Sequence, residues 1–327
     1  MKIIITGGSG FLGQRLAREL LKRGKVNDAD GNPRTIRELI LVDIALPLKG
    51  LLHPKVRYAI GDAASPKFIA ETFGEDTDGV FHLAAVVSGA AEADFDLGMR
   101  VNIDGTRGLL EACRRLPKPP RLVFTSSVAV FGTPLPDVVT DATTPLPRSS
   151  YGVQKLIGEL LVGDYSRKSF IDGRAVRLPT VSIRPGKPNA AASSFASGIL
   201  REPLNGVDAI CPVEPETELW LISPRLAVEC LLYAFELPSE ALGEIRSLNL
   251  PGITASVREM VASLERVAGL AAAKRIRWEP DEGIKAIVKS WPARFDTARA
   301  NSLGFPRDEG GFDRIIGDYV RGEGLKL

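Results

Sequence analysis

A tyrosine and a lysine four positions apart are the residues of this sequence best suited to chemistry on a hydroxyl or carbonyl group. Tyr151 and Lys155 occur in the segment YGVQK, and on a helix that spacing turns both side chains toward one cleft. A free phenol has a pKa of about 10 and is a poor base at neutral pH, but a neighbouring ammonium lowers that value. We therefore expect Tyr151 to exchange a proton with a substrate oxygen while Lys155 tunes its acidity.

Two adjacent serines are candidates to hold the same substrate oxygen. The apolar segment Leu122 to Phe124 runs directly into Thr125, Ser126 and Ser127. A hydroxyl at the end of a strand can donate a hydrogen bond to an oxygen whose charge changes during a reaction. We expect Ser127 to make this bond, with Ser126 as its nearest alternative.

A glycine-rich turn follows the first apolar segment and precedes a helical pattern. The turn reads TGGSGFLG from Thr6 to Gly13, and it satisfies both GxGxxG and GxxGxxG. Glycines permit a tight turn and a close approach of the backbone, and the free N–H groups at a helix start attract a pyrophosphate. We therefore expect a dinucleotide at this turn, with contacts from Gly7, Gly10, Phe11, Leu12 and Gly13.

An acidic residue closes the next apolar segment, which is a second condition for a dinucleotide site. Asp43 lies further from the glycine turn than the roughly 20 residues expected, and the polar segment Asn27 to Thr35, interpreted as a surface loop, accounts for the excess. A carboxylate here accepts hydrogen bonds from ribose hydroxyls and repels a 2′-phosphate, so NAD is favoured over NADP. The ammonium of Lys155 then has a second task, which is to hold the nicotinamide ribose.

Small or polar residues also follow other apolar segments. Ligands bind at the carboxyl ends of strands in this architecture, where small side chains leave room for adenine and ribose. We assign further cofactor contacts to Asp62, Ala63, Leu83, Ala84, Ala85, Asn102 and Pro179. For Asn102 the alternative is a polar helix residue that holds the sheet.

The alternation of apolar strands and periodic helices predicts an α/β fold with a doubly wound parallel sheet, a Rossmann domain. The predicted strands are Lys2 to Thr6, Leu39 to Asp43, Val56 to Ile60, Gly79 to Leu83 and Leu122 to Ser126. The predicted helices between them are Leu12 to Arg23, Ser65 to Phe73 and Met99 to Leu116.

A proline-rich change of texture after Arg177 predicts a smaller substrate-binding region interleaved with the first domain. The helix Arg225 to Phe235 and the strand-like Ser247 to Leu250 are interpreted as returns to that first domain. We therefore divide the chain into a cofactor-binding domain, residues 1–178 with returns near 221–250, and a mainly substrate-binding region, residues 179–327.

Composition narrows the classes of function. The chain has 327 residues, 44% of them hydrophobic and 25% charged, which is typical of a globular enzyme. Its formal charge of +2 is spread along the chain, so we expect no nucleic-acid partner. No apolar run reaches the roughly 18 residues of a membrane span, and no leader segment is visible. Two histidines and three cysteines without a pairing pattern predict no metal site, a reducing compartment and a cytoplasmic protein.

Taken together, these motifs resemble the extended short-chain dehydrogenase/reductase family, which includes UDP-galactose 4-epimerase and sugar-nucleotide dehydratases. The matching positions, which run in order over nearly the whole chain, are Thr6 to Gly13, Asp43, Asp62, His82 to Ala85, Asn102, Ser126, Ser127, Val130 to Gly132, Tyr151, Lys155 and Phe295 to Phe305. The resemblance implies an NAD-dependent oxidoreductase whose catalytic serine lies five residues before Gly132, at Ser127. It also implies a homodimer that pairs through the helices holding Met99 to Leu116 and Tyr151 to Leu161.

One departure from the family pattern bears on the substrate. Nucleotide-sugar enzymes carry Asn-Pro after the sixth strand, whereas this chain reads RLPTV from Arg177 to Val181, so the residue that contacts the diphosphate is missing. The segments Val86 to Asp96, Arg184 to Phe195 and Ile199 to Leu204 are instead similar to the D-erythronate dehydrogenase subgroup. That similarity implies oxidation of the C2 hydroxyl of a small sugar acid, D-erythronate to 2-keto-D-tetronate.

A small sugar acid needs a partner for its carboxylate and partners for its hydroxyls. Arg184, Lys187 and Arg201 are the candidates for the carboxylate, and arginine suits bidentate pairing best. We expect substrate contacts from Ser88, Ser126, Ser127, Tyr151, Thr180, Arg184 and Arg201. Two other functions remain open: a nucleotide-sugar 4-epimerase with the same tyrosine, lysine and serine, and a non-catalytic NAD-sensing protein on the same fold.

Overall fold

Buried, β-branched segments form a seven-stranded parallel sheet in the computed structural model of the chain, which describes residues 1–186 and 191–325. In chain order, the strands are β1 Lys2–Thr6, β2 Lys25–Asn27, β3 Pro33–Thr35, β4 Glu38–Asp43, β5 Val56–Ile60, β6 Gly79–His82, β7 Arg121–Ser127, β8 Asp172–Leu178, β9 Thr180–Val181, β10 Ala209–Cys211, β11 Glu218–Ile222, β12 Ser247–Asn249, β13 Ile253–Ser256 and β14 Ile276–Trp278. The α-helices are α1 Phe11–Arg23, α2 Pro66–Thr72, α3 Ser88–Ala93, α4 Phe95–Gly98, α5 Gly105–Arg114, α6 Ser150–Arg167, α7 Phe195–Leu204, α8 Pro224–Glu236, α9 Ser239–Leu242, α10 Val257–Ala268, α11 Leu270–Ala273, α12 Glu282–Lys289, α13 Ala298–Ser302 and α14 Gly311–Glu323. A π-helix covers Met99–Asp104, and 3₁₀ helices cover Val128–Val130 and Ala192–Ser194.

The order of strands across the sheet determines where a ligand can bind. The sheet runs β12-β8-β7-β6-β1-β4-β5, and every neighbouring pair is parallel. Successive strands therefore spread outward in both directions from β1 and β6, and this switch point opens a crevice beyond the carboxyl ends of the strands. The predicted doubly wound fold is confirmed, and each predicted strand lies within one residue of its observed ends.

Helices cover both faces of this sheet, which is why its central strands are apolar along their whole length. On one face, α1 and α8 pack buried side chains that include Leu16, Leu20, Leu231 and Phe235. On the other face, α2, α5 and α6 contribute Ile69, Leu109, Leu110 and Val162. The three cysteines are free and buried, as small core residues are expected to be.

A smaller layer of strands and helices extends beyond the sheet. β11 pairs with β9 in parallel and with β13 antiparallel, while β10 pairs with β14. Helices α7, α10 and α14 enclose a separate apolar core that includes Leu200, Met260, Leu264 and Ile316. The chain also returns to the first layer, because α8 packs beside α1 and β12 pairs with β8. The functional division into residues 1–178 and 179–327 stays a prediction.

The polar segment near Asp28 differs from the surface loop favoured by the sequence. It forms a hairpin of β2 and β3 instead. The carboxylate of Asp28 accepts the backbone N–H groups of Asp30 and Asn32 at 3.1 and 2.9 Å, which closes the turn. The backbone N–H of Asn27 also donates to Glu236 of α8, so the hairpin is tied to the body of the protein.

The predicted helix Met99 to Leu116 also differs in detail. It begins as a π-helix, in which the N–H of Gly105 donates to the carbonyl of Arg100 five residues earlier, and it continues as α5. The wider turn lies at the wall of the crevice, where Arg100 and Val101 border the cavity described below.

Candidate active site

A cavity of about 640 Å³ opens at the carboxyl ends of the central strands. The fold brings most of the predicted site residues to its wall, although they are spread over much of the first half of the chain and just beyond. The predicted residues that line it are Gly7, Gly10, Phe11, Leu12, Gly13, Asp43, Asp62, Ala63, Leu83, Ala84, Ala85, Ser88, Ser126, Ser127, Tyr151, Lys155, Pro179, Thr180 and Arg184.

The start of α6 fixes the direction in which the phenol of Tyr151 points. Ser149 caps this helix, because its hydroxyl accepts the N–H of Gly152 at 3.2 Å. A Cβ on Gly152 would lie 2.1 Å from the carbonyl oxygen of Ala129, so the helix rests directly on the 3₁₀ turn after β7. This close approach brings Tyr151 beside Ser127, whose hydroxyl interacts with the phenol.

The phenol is buried, and burial governs its acidity. Burial raises the pKa of Tyr151 to about 12, while the Ser127 hydroxyl and the charge of Arg184 lower it. The spacing of Tyr151 and Lys155 predicts a pKa below the ordinary value of a phenol. That direction is wrong, because the loss of hydration destabilises the phenolate more than Ser127 and Arg184 stabilise it.

Lys155 is enclosed between α6 and β7. Its ammonium donates to the carbonyl oxygen of Thr125 at 2.8 Å, and it lies 4.8 Å from the centroid of the Phe124 ring and 5.7 Å from that of Tyr151. Burial lowers the pKa of Lys155 to about 7, and the charge of Glu159 opposes that shift. The ammonium carries three N–H groups, so further bonds to ribose hydroxyls are chemically open to it.

The two candidate serines differ in their hydrogen bonds. Ser126 is 2% exposed and donates its hydroxyl to Glu159, away from the phenol. The hydroxyl oxygen of Ser127 accepts the N–H of Ala129 at 3.1 Å, and the side chain also interacts with Tyr151. The geometry therefore favours Ser127 as the serine that holds a substrate oxygen.

The turn after β1 leaves backbone groups open to a pyrophosphate. Gly7 has a φ of +68°, and a Cβ on Gly13 would lie 2.3 Å from the carbonyl oxygen of Gly7. Turn and helix therefore touch backbone to backbone, with no room for a side chain. Gly10 begins α1 without a side-chain cap, and Phe11 and Leu12 of the first helical turn line the cavity. Residues with uncapped N–H groups at this place fit the diphosphate of a dinucleotide.

Two carboxylates also line the cavity, at the ends of β4 and β5. Asp43 accepts the backbone N–H groups of Ser9 and Ile44 at 2.9 and 2.8 Å, which hold its carboxylate at the end of β4. Asp62 follows β5 and forms an ion pair with Arg100 of the π-helix. Sequence reasoning missed Arg100, because it stands outside any recognisable motif and reaches the cavity only through the wider π-helical turn.

A buried histidine holds the strand end beside the glycine turn. The hydroxyl of Thr106 donates to the carbonyl of Asn102 at 2.7 Å, so the Nε2–H of His82 donates to that hydroxyl at 2.9 Å. The Nδ1 atom of His82 then accepts the hydroxyl of Thr6 at 2.6 Å, and that hydroxyl accepts the N–H of Ala84 at 3.2 Å. Burial lowers the pKa of His82 to about 3, so the ring stays neutral and the relay stays intact.

Asn102 lies behind the cavity wall, which differs from its assignment as a cofactor contact. Its amide oxygen accepts the N–H of Val86 at 2.8 Å, and its amide nitrogen donates to the carbonyl of Val86 and to Gln154 at 3.0 and 2.7 Å. The amide oxygen and the amide nitrogen of Asn102 thus both form hydrogen bonds with groups of the protein itself. Asn102 fixes the segment after β6, which agrees with the alternative that it holds the sheet.

Hydroxyl groups and a positive charge also line the cavity. Thr180, Arg184 and Ser88 line it as expected, and the charge of Arg184 acts on the phenol. The hydroxyl of Ser88 accepts the N–H of Ala192 at 3.1 Å, which links α3 to the 3₁₀ helix Ala192–Ser194. Two further lining residues that sequence reasoning missed are Ser193 and Trp291. Ser193 lies within the segment Arg184 to Phe195 noted above, whereas no local motif marks Trp291, which only the folded chain carries to the site.

Arg201 has a supporting position and does not contribute to the cavity wall among the described residues. It is 6% exposed, donates to the carbonyl oxygen of Arg184 at 2.9 Å and pairs with Glu202. Its assignment as a substrate contact is therefore corrected: it holds the backbone that carries Arg184. Lys187, the third candidate, lies outside the described residues.

The match to known sequences covers most of the chain. The pattern of the NAD dependent epimerase/dehydratase family matches residues 3–212. The chain belongs to this family. D-erythronate dehydrogenase of Cupriavidus necator is 56% identical over 325 residues, which span 99% of both chains. D-erythronate dehydrogenase of Haemophilus influenzae is 47% identical over 320 residues, 98% of this chain and 99% of that protein.

A solved structure has the same fold as this chain. The nucleoside-diphosphate-sugar epimerase from Agrobacterium tumefaciens superposes with a TM-score of 0.90 and is 42% identical, covering 100% of this chain and 95% of that one. Family and relatives make the protein an NAD-dependent oxidoreductase, with NAD as its cofactor. None of its helices in residues 1–186 and 191–325 is long and apolar enough to cross a bilayer.

Proposed function

We propose that this family member oxidises the C2 hydroxyl of a small sugar acid, D-erythronate, to the 2-keto acid. The observation that carries the proposal is the presence of the phenol of Tyr151, the hydroxyl of Ser127 and the charge of Arg184 at one end of one cavity. A 2-hydroxy acid presents its reacting hydroxyl and its carboxylate on adjacent carbons. Two full-length relatives bear the name of this activity, which supports the same substrate.

In the proposed mechanism, Tyr151 acts as the general base. Ser127 donates a hydrogen bond to the C2 oxygen and keeps it beside the phenolate, which takes the hydroxyl proton. Bound NAD would supply the acceptor for the hydride on C2. The hydroxyl would thus lose its proton to Tyr151 and C2 would lose one hydride, which leaves a carbonyl at C2. Lys155, in its ammonium form, would hold the ribose that carries the nicotinamide.

Arg184 is proposed to bind the carboxylate of the substrate. A guanidinium offers paired N–H donors that match a carboxylate, and such charge-assisted bonds are about twice as strong as neutral ones. Arg201 supports it by fixing the carbonyl of Arg184 at 2.9 Å. Thr180, Ser193 and Ser88 are proposed to meet the remaining hydroxyls of the acid.

The test is a direct assay of NADH formation with D-erythronate and with other four- to six-carbon sugar acids. We expect activity with D-erythronate, and a loss of roughly 10²–10⁴-fold in kcat for Tyr151→Phe with NADH binding retained. Arg184→Met is expected to raise KM by at least about tenfold, with Arg184→Lys between it and the parent. Full activity of Tyr151→Phe would refute the assigned base.

A nucleotide-sugar 4-epimerase remains the second candidate, because the Agrobacterium tumefaciens structure with a TM-score of 0.90 bears that kind of name. An epimerase returns the hydride to its substrate and forms no net NADH. Conversion of a UDP-sugar without NADH release, together with no signal from any sugar acid, would reverse the ranking. The segment RLPTV from Arg177 supports the sugar acid, since it lacks the Asn-Pro of the nucleotide-sugar pattern.

A homodimer is proposed through α6 and its neighbour α5. Val153 and Leu160 lie seven positions apart on one face of α6 and are 42% and 66% exposed. A Leu160→Glu variant is expected to run as a monomer in light scattering, because it buries a charge in the pairing face. Leu270→Glu, at a leucine on α11 that is 52% exposed, is the control and should leave the mass unchanged.

A further inference from the structure

A buried ion pair lies directly behind the three catalytic side chains, and the mechanism above leaves it unused. Glu159 stands one helical turn after Lys155 on α6, and its side chain is 3% exposed. Its carboxylate accepts three bonds from the guanidinium of Arg177, at 2.7, 2.9 and 3.2 Å. The hydroxyl of Ser126 donates to the same carboxylate. The Glu159 cluster, defined as these three side chains, therefore joins α6, β7 and β8 at one point.

The Glu159 cluster holds the end of β7 at the position where that strand meets the catalytic residues. Thr125, Ser126 and Ser127 are consecutive, and neighbouring side chains of a strand point to opposite faces. The carbonyl of Thr125 accepts the ammonium of Lys155 at 2.8 Å, and the Ser127 side chain meets the phenol. Ser126, whose hydroxyl donates to Glu159, lies between these two residues in the strand. A shift of its backbone would move both of them.

The charge of the cluster also acts on Lys155. Burial lowers the pKa of Lys155 to about 7, and the negative charge of Glu159 is the influence that opposes it. His82 of β6 faces the same ammonium but is neutral, with a pKa that burial lowers to about 3. Other charged or titratable groups on the first half of α6 and on the elements packed against it are Tyr151, Arg177 of β8, Glu92 of α3, Asp96 of α4, and Arg100 and Asp104 of the π-helix.

We propose that Glu159 is a positioning residue that holds the end of β7, and with it the contacts of that strand to Lys155 and Tyr151, in place for catalysis. Arg177 orients the carboxylate, and Ser126 transmits its position to the strand. The inference rests on the proposed function only in that Lys155 holds the cofactor ribose.

The test measures the affinity for NADH at a series of pH values around neutrality, with the fluorescence of NADH as the signal for binding. In the parent, affinity falls as pH rises through the pKa of Lys155, about 7, because the ammonium loses a proton. Glu159→Gln removes the supporting charge, so we expect its midpoint about one pH unit lower. Glu159→Asp keeps the charge and is expected to restore the parental midpoint. A merely structural role would leave the midpoint unmoved in every variant.

A double variant guards against loss of folding. Glu159→Gln leaves the Arg177 guanidinium buried without its carboxylate, whereas Glu159→Gln with Arg177→Met leaves no unpaired charge. The double variant is expected to fold, and because it removes one negative and one positive charge together, its midpoint should lie between those of Glu159→Gln and the parent. The matched control is Glu111→Gln, which removes a carboxylate that accepts the Tyr165 hydroxyl at the far end of α6 and should keep the parental midpoint.

The outcomes separate this inference from the proposed function. An unchanged midpoint in both Glu159 variants that lose the charge would overturn it. Failure of both to fold, with Glu159→Asp fully parental, would assign the cluster to stability alone and overturn it as well. The assay needs only NADH. A parent protein that does not oxidise D-erythronate but shows the predicted midpoints would therefore refute the proposed substrate and still support the inference about Glu159.

Discussion

Substituting alanine for glycine at two helical positions should have opposite effects, because only one of them faces another backbone. Alanine is the better helix former by about 1 kcal/mol, so Gly→Ala in an open helix stabilises. Gly13 of α1 is not open: its Cβ would lie 2.3 Å from the carbonyl oxygen of Gly7 and 2.8 Å from the Cα of Gly8. That oxygen must retreat by about 1 Å before ordinary contact is reached, near 3.4 Å.

The retreat falls on the turn that is proposed to hold the pyrophosphate. The carbonyl of Gly7 accepts the N–H of Gly10 at 3.0 Å, so moving it displaces the first residue of the helix start. Overpacking costs roughly 1–3 kcal/mol, and because the obstruction here is backbone, we expect the upper part of that range, which outweighs the helical gain of about 1 kcal/mol. We expect Gly13→Ala to lower Tm by about 2–6 °C and to weaken NADH binding by at least about tenfold.

The assay combines thermal melting with NADH titration by fluorescence. Gly322→Ala in α14 is the control, because a Cβ there meets nothing within 4 Å. It should raise Tm slightly or leave it unchanged, with NADH affinity unaltered. If Gly13→Ala bound NADH as tightly as the parent and melted no lower, the cradle described for this turn would be wrong.

Three further predictions concern charge. Asp172 lies 2.9 and 3.1 Å from the buried guanidiniums of Arg121 and Arg174, so Asp172→Asn should cost about 3 kcal/mol and lower Tm by roughly 6–10 °C, whereas Asp164→Asn on the surface of α6 should change little. Asp43→Ser removes the charge that repels a 2′-phosphate, so the ratio of NADPH to NADH dissociation constants should fall by about tenfold. With NAD at saturating concentration, so that the weaker binding expected above the pKa of Lys155 does not limit the rate, oxidation should accelerate as pH rises toward the pKa of the Tyr151 phenol, about 12, because the phenolate is the base.

Each of these predictions has an outcome that contradicts it. Equal melting of the Asp172 and Asp164 variants would mean that the buried guanidiniums do not need the shared carboxylate. An unchanged cofactor ratio after Asp43→Ser would remove that residue from cofactor selection. A rate of oxidation that falls with rising pH would exclude the phenolate of Tyr151 as the base.

The sequence could predict what is encoded by local spacing. A glycine turn between a strand and a helix, with Asp43 closing a later strand, requires no knowledge of distant contacts, and the fold class and NAD followed from it. Asn102 and Arg201 could not be assigned in this way. Each is a polar residue that looks available in the sequence, but hydrogen bonds inside the protein hold both of them behind the cavity.

By itself, the sequence determined the parallel sheet, the glycine turn between its first strand and first helix, and the placement of Tyr151 and Lys155 on one helix, because strand, turn and helix periodicities are properties of neighbouring residues. Only the tertiary structure decided that burial raises the pKa of Tyr151, that Ser126 donates to Glu159 while Ser127 meets the phenol, and that Trp291 reaches the cavity. Desolvation and hydrogen-bond partners depend on which distant segments cover a group, and no spacing along the chain contains that information.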